Sequence, residues 1–218
     1  LAAKFSTIVV VLIWAPFIQY WEIERFKQHR KFKAGDSLFN TVFMLITSAL
    51  FLSGVGVSLF SEPVIFFMAD ESFNQSSVAV GPLVLAAIFS TLCFYYNFSF
   101  IVTDNTPVIA KMRFATAALS TIFCVLLIPS YGFVGAAYSL LLTSMFHLAL
   151  THYFAKQYFD MNIELSSLGF IILLSASTVT IDNALINEVE VLKNIALKGT
   201  LFTLYLTTLI AFLYSKGT

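Results

Sequence analysis

Long apolar runs separated by short polar stretches set the pattern of this chain. They fall at 3–20, 38–60, 78–102, 109–128, 133–153, 165–181 and 195–214. An α-helix rises ~1.5 Å per residue, so each run is close to the length needed to cross a hydrocarbon core of ~30 Å. Strands that span membranes instead alternate apolar and polar positions over ~10 residues. The pattern therefore predicts an all-α, polytopic transmembrane bundle of about seven spans, organised as a single domain over 1–218.

The polar stretches between the runs predict an orientation. Arg25, Lys27, Arg30, Lys31 and Lys33 crowd the segment 21–36 after the first run, which places that segment on the cytoplasmic side. Alternation then puts Glu62, Asp70 and Glu71 outside, Lys111 and Arg113 inside, the 129–132 turn outside, Lys156 inside, the 182–190 loop outside and Lys216 inside. Each loop agrees with the positive-inside rule, giving an outer start and a cytoplasmic C-terminus. Tyr20, Trp21, Ile23, Phe26 and Phe32 are interleaved with the basic residues, as expected of an interfacial helix along the inner leaflet. The apolar stretch inside 61–77 is too short to span and predicts a short outer helix.

Composition sharpens the solvent. Charged residues make up 11% of the chain, against ~25% in soluble domains, too few to coat a water-soluble core. The formal net charge of zero and the lack of a basic, aromatic-interleaved tract give nucleic acid no surface to recognise. Cys93 and Cys124 lie inside apolar runs without metal-ligand spacing and read as inert buried thiols. The first residue is Leu1 and no signal-peptide pattern follows it, so the chain is expected to begin mid-protein.

Pro129 lacks an amide hydrogen and Gly132 permits a tight turn, so the fourth and fifth runs should form a close antiparallel hairpin. Gly132, Gly135, Ala136 and Ser139 offer a small-residue face for close helix approach. Pro16 should kink the first span.

Three segments carry a resemblance. Residues 126–140, LLIPSYGFVGAAYSL, with the preceding span from Pro107 to Leu127, together with 13–17, IWAPF, and 51–68, FLSGVGVSLFSEPVIFFM, resemble the oligosaccharide flippase and polysaccharide biosynthesis family. This O-antigen flippase-like family lies within the MOP exporter superfamily, which also holds multidrug extruders of the MATE type. The resemblance covers most of 1–160 and weakens beyond. It implies the C-terminal lobe of a MATE-like two-lobe transporter, in which an N-terminal lobe of the same protein completes a central cavity. The implied activity is flipping of lipid-linked oligosaccharide, with undecaprenyl-diphosphate-linked repeat units as substrate, across the bacterial cytoplasmic (inner) membrane by alternating access. Polysaccharide polymerase machinery is an implied partner and membrane lipids are the surroundings. The coupling ion, H+ or Na+, is left open.

Candidate residues follow from polarity at membrane depth. Lys4, a cation inside the first run, is the first candidate for substrate binding, because an intramembrane charge usually faces a bundle interior or a water-filled cavity. Asn97 and Tyr138 could hydrogen-bond sugar hydroxyls, as could Tyr95 and Ser139. Against these stand snorkelling for Lys4 and interhelical hydrogen bonding for the others. Pro16, Gly132 and Gly135 are the conformational candidates. His147 could titrate near neutrality, though a lone histidine more often serves as a helix-packing donor, and Asp104, Lys111 and Arg113 read as orientation and headgroup charges, with a role at the cytoplasmic mouth as the alternative. The aromatic run Phe94, Tyr95, Tyr96, Phe98 and Phe100 circles its helix and reads as lipid contact, and Lys198 reads as a snorkelling cation. No HExxH, GxSxG or phosphate-cradling glycine loop occurs, so no catalytic residue, cofactor or metal ligand is assigned and no enzyme activity is expected. A peptidoglycan-precursor flippase, a MATE-type drug extruder and, from a different class, a membrane glycan polymerase remain as alternatives. The extruder would need intramembrane carboxylates, and no run carries one near its centre.

Overall fold

In the computed structural model, which describes residues 2–31, 37–68, 77–185 and 191–217, the described residues form helices and short connections, with no strand among them. The elements are α1 (Ala2–Val9), a π-helical turn (Val10–Trp14), α2 (Ala15–Lys31), α3 (Ser37–Met68), α4 (Val80–Tyr96), α5 (Phe98–Val102), α6 (Thr106–Tyr158), α7 (Leu165–Leu185) and α8 (Val191–Lys216). Six helices are long and apolar enough to cross a membrane, α1 to α2 counting as one. That fits a multi-pass membrane protein.

The 53 residues of α6 would span about 80 Å if straight, more than twice a bilayer core. They fold back on themselves instead. Gly132 breaks the helix with φ 58 and ψ −134, a conformation open essentially to glycine alone. Around it the two limbs lie antiparallel: Cys124 Sγ stands 3.4 Å from Ser139 Oγ, and a Cβ on Gly135 would collide with the Leu127 carbonyl. The expected hairpin is therefore present, with Gly135 and Ser139 at the contact between the limbs, and each limb has the length needed for a crossing of its own.

Pro16 does not end the helix. The turn before it widens to π geometry, with Ala15 N–H bonded to Val10 O, and the helix continues through Pro16 into α2. The expected interfacial helix is thus, as far as Lys31, the direct extension of the first span; residues 32–36 lie outside the described residues. Its polar character is also misleading, since Trp21 and Arg25 are buried. The expected short outer helix is likewise the last turns of α3, which runs through Glu62 and Pro63 to Met68. Asp70 and Glu71 lie outside the described residues.

The core is aromatic at the end that carries the basic segment. Trp21 stacks on Tyr95 at 6.2 Å and meets Phe39 edge-on at 6.0 Å, while Phe98 stacks on Phe39 at 5.7 Å. Tyr95, Tyr96, Phe98 and Phe100 are all buried and only Phe94 is exposed, which corrects the reading of this run as lipid contact. The helix passes through a turn at Asn97 between α4 and α5, and neighbouring segments surround it there on more than one side, so rings all round it are covered by protein. The loop that follows α6 and the segment α2 also close over them. Tyr95 then donates to the Phe39 carbonyl at 2.8 Å, and Ser99 to the Phe159 carbonyl at 2.9 Å.

Candidate functional site

At the opposite end of the bundle, α3, α4, the second limb of α6, α7 and α8 enclose a cavity of about 700 Å³. Glycines open the α3 wall: a Cβ on Gly54 would come within 2.7 Å of Ile88 Cδ1, so α3 and α4 approach closely just below it. The walls mix apolar side chains with Ser58, Ser61, Ser175, Thr180 and Tyr138. Several of these hydroxyls are already committed. Ser61 donates to the Ser58 carbonyl and Ser175 to the Ile171 carbonyl, leaving the Ser175 oxygen to receive the buried Tyr205 hydroxyl at 2.9 Å.

Three charged side chains from three helices meet in the cavity wall. Lys198 on α8 is 1% exposed; its Nζ lies 2.7 Å from Glu62 Oε2 on α3 and 3.6 Å from Asp182 Oδ2 on α7. The two carboxylates are unlike. Asp182 is 8% exposed, whereas Glu62 is 57% exposed, so the lysine has one fixed partner and one that water can replace. The expectation that Lys198 snorkels is overturned: the cation is drawn inward because two acids await it there. With all three ionised the group carries one net negative charge. An ammonium of this burial is tolerable only when paired.

The sequence candidates separate. Tyr138, half-exposed on the second limb of α6, lines this cavity. Asn97 does not: it lies at the break between α4 and α5, nearer the basic end than its place in the third run suggested. It lines a second cavity of about 330 Å³ with Arg113 and His147. Lys4 is exposed on α1 and lines neither. Tyr95 and Ser139 are occupied by backbone carbonyls. Pro16, Gly132 and Gly135 stand at the π turn and the hairpin. Cys93 and Cys124 are free thiols, and among the described residues no three His, Cys, Asp or Glu side chains gather at metal-binding range.

Two charged groups escaped the sequence reading. Arg25 looked like a loop cation but is 4% exposed, paired with Glu22 at 3.2 Å and held 5.0 Å over the Phe98 ring. The triad was missed because Glu62, Asp182 and Lys198 each sit alone, 136 residues separating the first from the last. The available signal was that all three flank apolar runs at the same predicted side of the membrane with opposite signs.

Compared with known proteins, the chain matches no family model, no curated protein and no solved structure. What it can do is therefore argued from the cavity itself.

Proposed function

We propose that this chain is one lobe of a secondary transporter that flips a lipid-linked oligosaccharide across a bacterial cytoplasmic membrane by alternating access. The observation that carries the reading is the cavity of about 700 Å³, within the ~300–1,000 Å³ range of small-ligand sites, set among long apolar helices. Moving sugars and phosphate through hydrocarbon without partners costs several kcal/mol per polar group, so a flippase needs a sheltered polar path. Tyr138 and the serines of its wall offer hydroxyls to sugar hydroxyls, while the Lys198 charge is taken up by Glu62 and Asp182. The LLIPSYGFVGAA segment adds its family resemblance, and the tight hairpin at Gly132 is the geometry that segment implies. The lack of any catalytic motif favours relocation over polymerisation.

A second reading has its own observation. Glu62 and Asp182 outnumber the lysine between them, and carboxylates in a cavity wall are what a MATE-type extruder of cations requires. They lie at one end of their helices and are bound to Lys198, which makes them less free to receive a cation than a lone intramembrane acid.

Deleting the gene in its host distinguishes these readings. The flippase reading expects one surface or secreted polysaccharide to be lost while its lipid-linked unit accumulates on the cytoplasmic face. Unpolymerised units appearing on the outer face would establish a polymerase instead. Unchanged polysaccharide with new sensitivity to cationic drugs would establish the extruder.

A further inference from the structure

The second cavity differs from the first in what its wall leaves unsatisfied. It lies between α4 and the two limbs of α6, toward the end that holds the basic segment, and its wall includes Asn97, Arg113, Thr116, Thr143 and His147. None of its lining residues is Asp or Glu. Arg113 is exposed, and the contact recorded for its guanidinium is the Phe94 ring at 5.4 Å. Asn97 and Thr143 are 8% and 7% exposed, yet Asn97 Oδ1 and Thr143 Oγ1 are buried without a hydrogen-bond partner. A buried polar atom left unpaired costs ~1–3 kcal/mol, and here two such atoms share a cavity with a cation lacking a counter-charge.

We propose that this cavity binds the phosphodiester headgroup of an anionic membrane lipid, with Arg113 taking the phosphate and Asn97 and Thr143 taking hydroxyls of the headgroup. Three features select this chemistry. The guanidinium fork matches phosphate oxygens in two parallel bonds. The unpaired carbonyl of Asn97 accepts a proton, which a headgroup hydroxyl supplies and a bare phosphate diester does not. The groove opens beside exposed Phe94, Phe114 and Ala117, which are surfaces for acyl chains rather than for water. Basic pockets between spans on the cytoplasmic side are where anionic headgroups are held, and by its charges the basic end is the cytoplasmic one. The site is independent of whichever cargo the larger cavity takes.

The test uses the full 218-residue chain in mild detergent, with lipid binding read by native mass spectrometry and thermal unfolding followed in parallel. Phosphatidylglycerol should bind and raise the unfolding temperature more than phosphatidylcholine. Arg113→Gln should weaken phosphatidylglycerol binding roughly tenfold, the loss expected for one charge-assisted contact. Thr143→Val should leave the lipid-free unfolding temperature unchanged or higher, since it removes an unpaired hydroxyl, while reducing the stabilisation by phosphatidylglycerol. Lys111→Gln, a neighbouring exposed cation outside the cavity wall, should bind as the parent does. Equal binding of the two lipids, or equal loss in Lys111→Gln and Arg113→Gln, would overturn the proposal. Displacement of the lipid by millimolar glycerol 1-phosphate would overturn the lipid as the ligand and assign the site to a soluble phosphate ester.

Discussion

The two cavities of this bundle hold one strongly basic side chain each and dispose of it in opposite ways. In the larger, Lys198 is buried and bonded to Glu62 and Asp182, so the charge is spent on joining α3, α7 and α8. In the smaller, Arg113 is exposed and no carboxylate lines the wall with it. The difference teaches that a cation at membrane depth is not by itself a ligand site. Its partners decide whether it ties helices together or waits for an anion. Lys4 is exposed on α1 and lines neither cavity, a placement that its position in an apolar run did not reveal.

The comparison breaks most sharply at Lys198. Lys198→Ala should leave Asp182 buried without its counter-charge and destabilise the fold by ~3–5 kcal/mol, read as a lowered midpoint in denaturing detergent. Lys198→Met combined with Asp182→Asn should recover most of that loss, because an apolar or neutral pair avoids the uncompensated charge. If the single and double variants unfold alike, the triad is not what joins the three helices.

The hairpin that walls both cavities gives the next effect. Ala at position 132 would meet no neighbour, so its cost is backbone strain alone, ~1–3 kcal/mol. Gly135→Ala should cost more, since its new methyl is driven against the Leu127 carbonyl. A disulfide test sharpens this: with Ser139→Cys, oxidation should link Cys124 to the new thiol within one chain. No cross-link under oxidising conditions would mean that the limbs do not face each other.

Tyr95→Phe probes the aromatic end, at a side chain that lines neither cavity. It removes one hydrogen bond to the Phe39 carbonyl and should cost ~0.5–1.5 kcal/mol without changing lipid binding, measured by the same unfolding midpoint. A larger loss would mean that the aromatic cluster depends on that bond for its arrangement.

The smallest effect is pH-dependent and lies where α7 and α8 meet. Lys216, then Ser167, hydrogen-bond the Glu164 carboxylate and hold its pKa below the ordinary 4.5. A lowered carboxylate pKa contributes stability above the unfolded value, and that contribution is lost as pH falls through the folded value. Protection against hydrogen exchange at the C-terminal end of α8, taken relative to the intrinsic rate at each pH, should therefore fall below about pH 4.5 in the parent and stay level there in Glu164→Gln. The pair is exposed, so the change should be slight.

Much of the architecture was legible because apolar run length and helix rise set it directly, and because Pro129, Gly132 and Gly135 state a hairpin in local terms. The aromatic run was misread because rings all round a helix meet lipid only where no other segment packs, and here Trp21, Phe39 and Tyr158 come from elsewhere in the chain to cover them. Arg25 was misread because its burial depends on Phe98 arriving from another helix. The triad was invisible for the same reason: pairing between residues 62, 182 and 198 is a property of tertiary packing, and no local pattern announces it. Asn97 and Tyr138 were named together as candidates for sugar hydroxyls, and nothing in sequence spacing told that they line different cavities.

The π turn at Val10–Trp14 has a consequence for the register of everything before it. A turn closed by i to i−5 bonding holds one more residue than an α turn, and each residue advances a helix by about 100°. Were this turn to close as ordinary α-helix with every residue retained, each earlier side chain would move by one place: Ser6 would take the seat of Phe5, which packs against the core, and Phe5 would take the exposed seat of Lys4. The wide turn thus works as a phase setting: it absorbs one residue so that Phe5 and the buried Val9 stay on the inner face of α1 while Pro16 and the buried Trp14 and Trp21 keep their own positions below it.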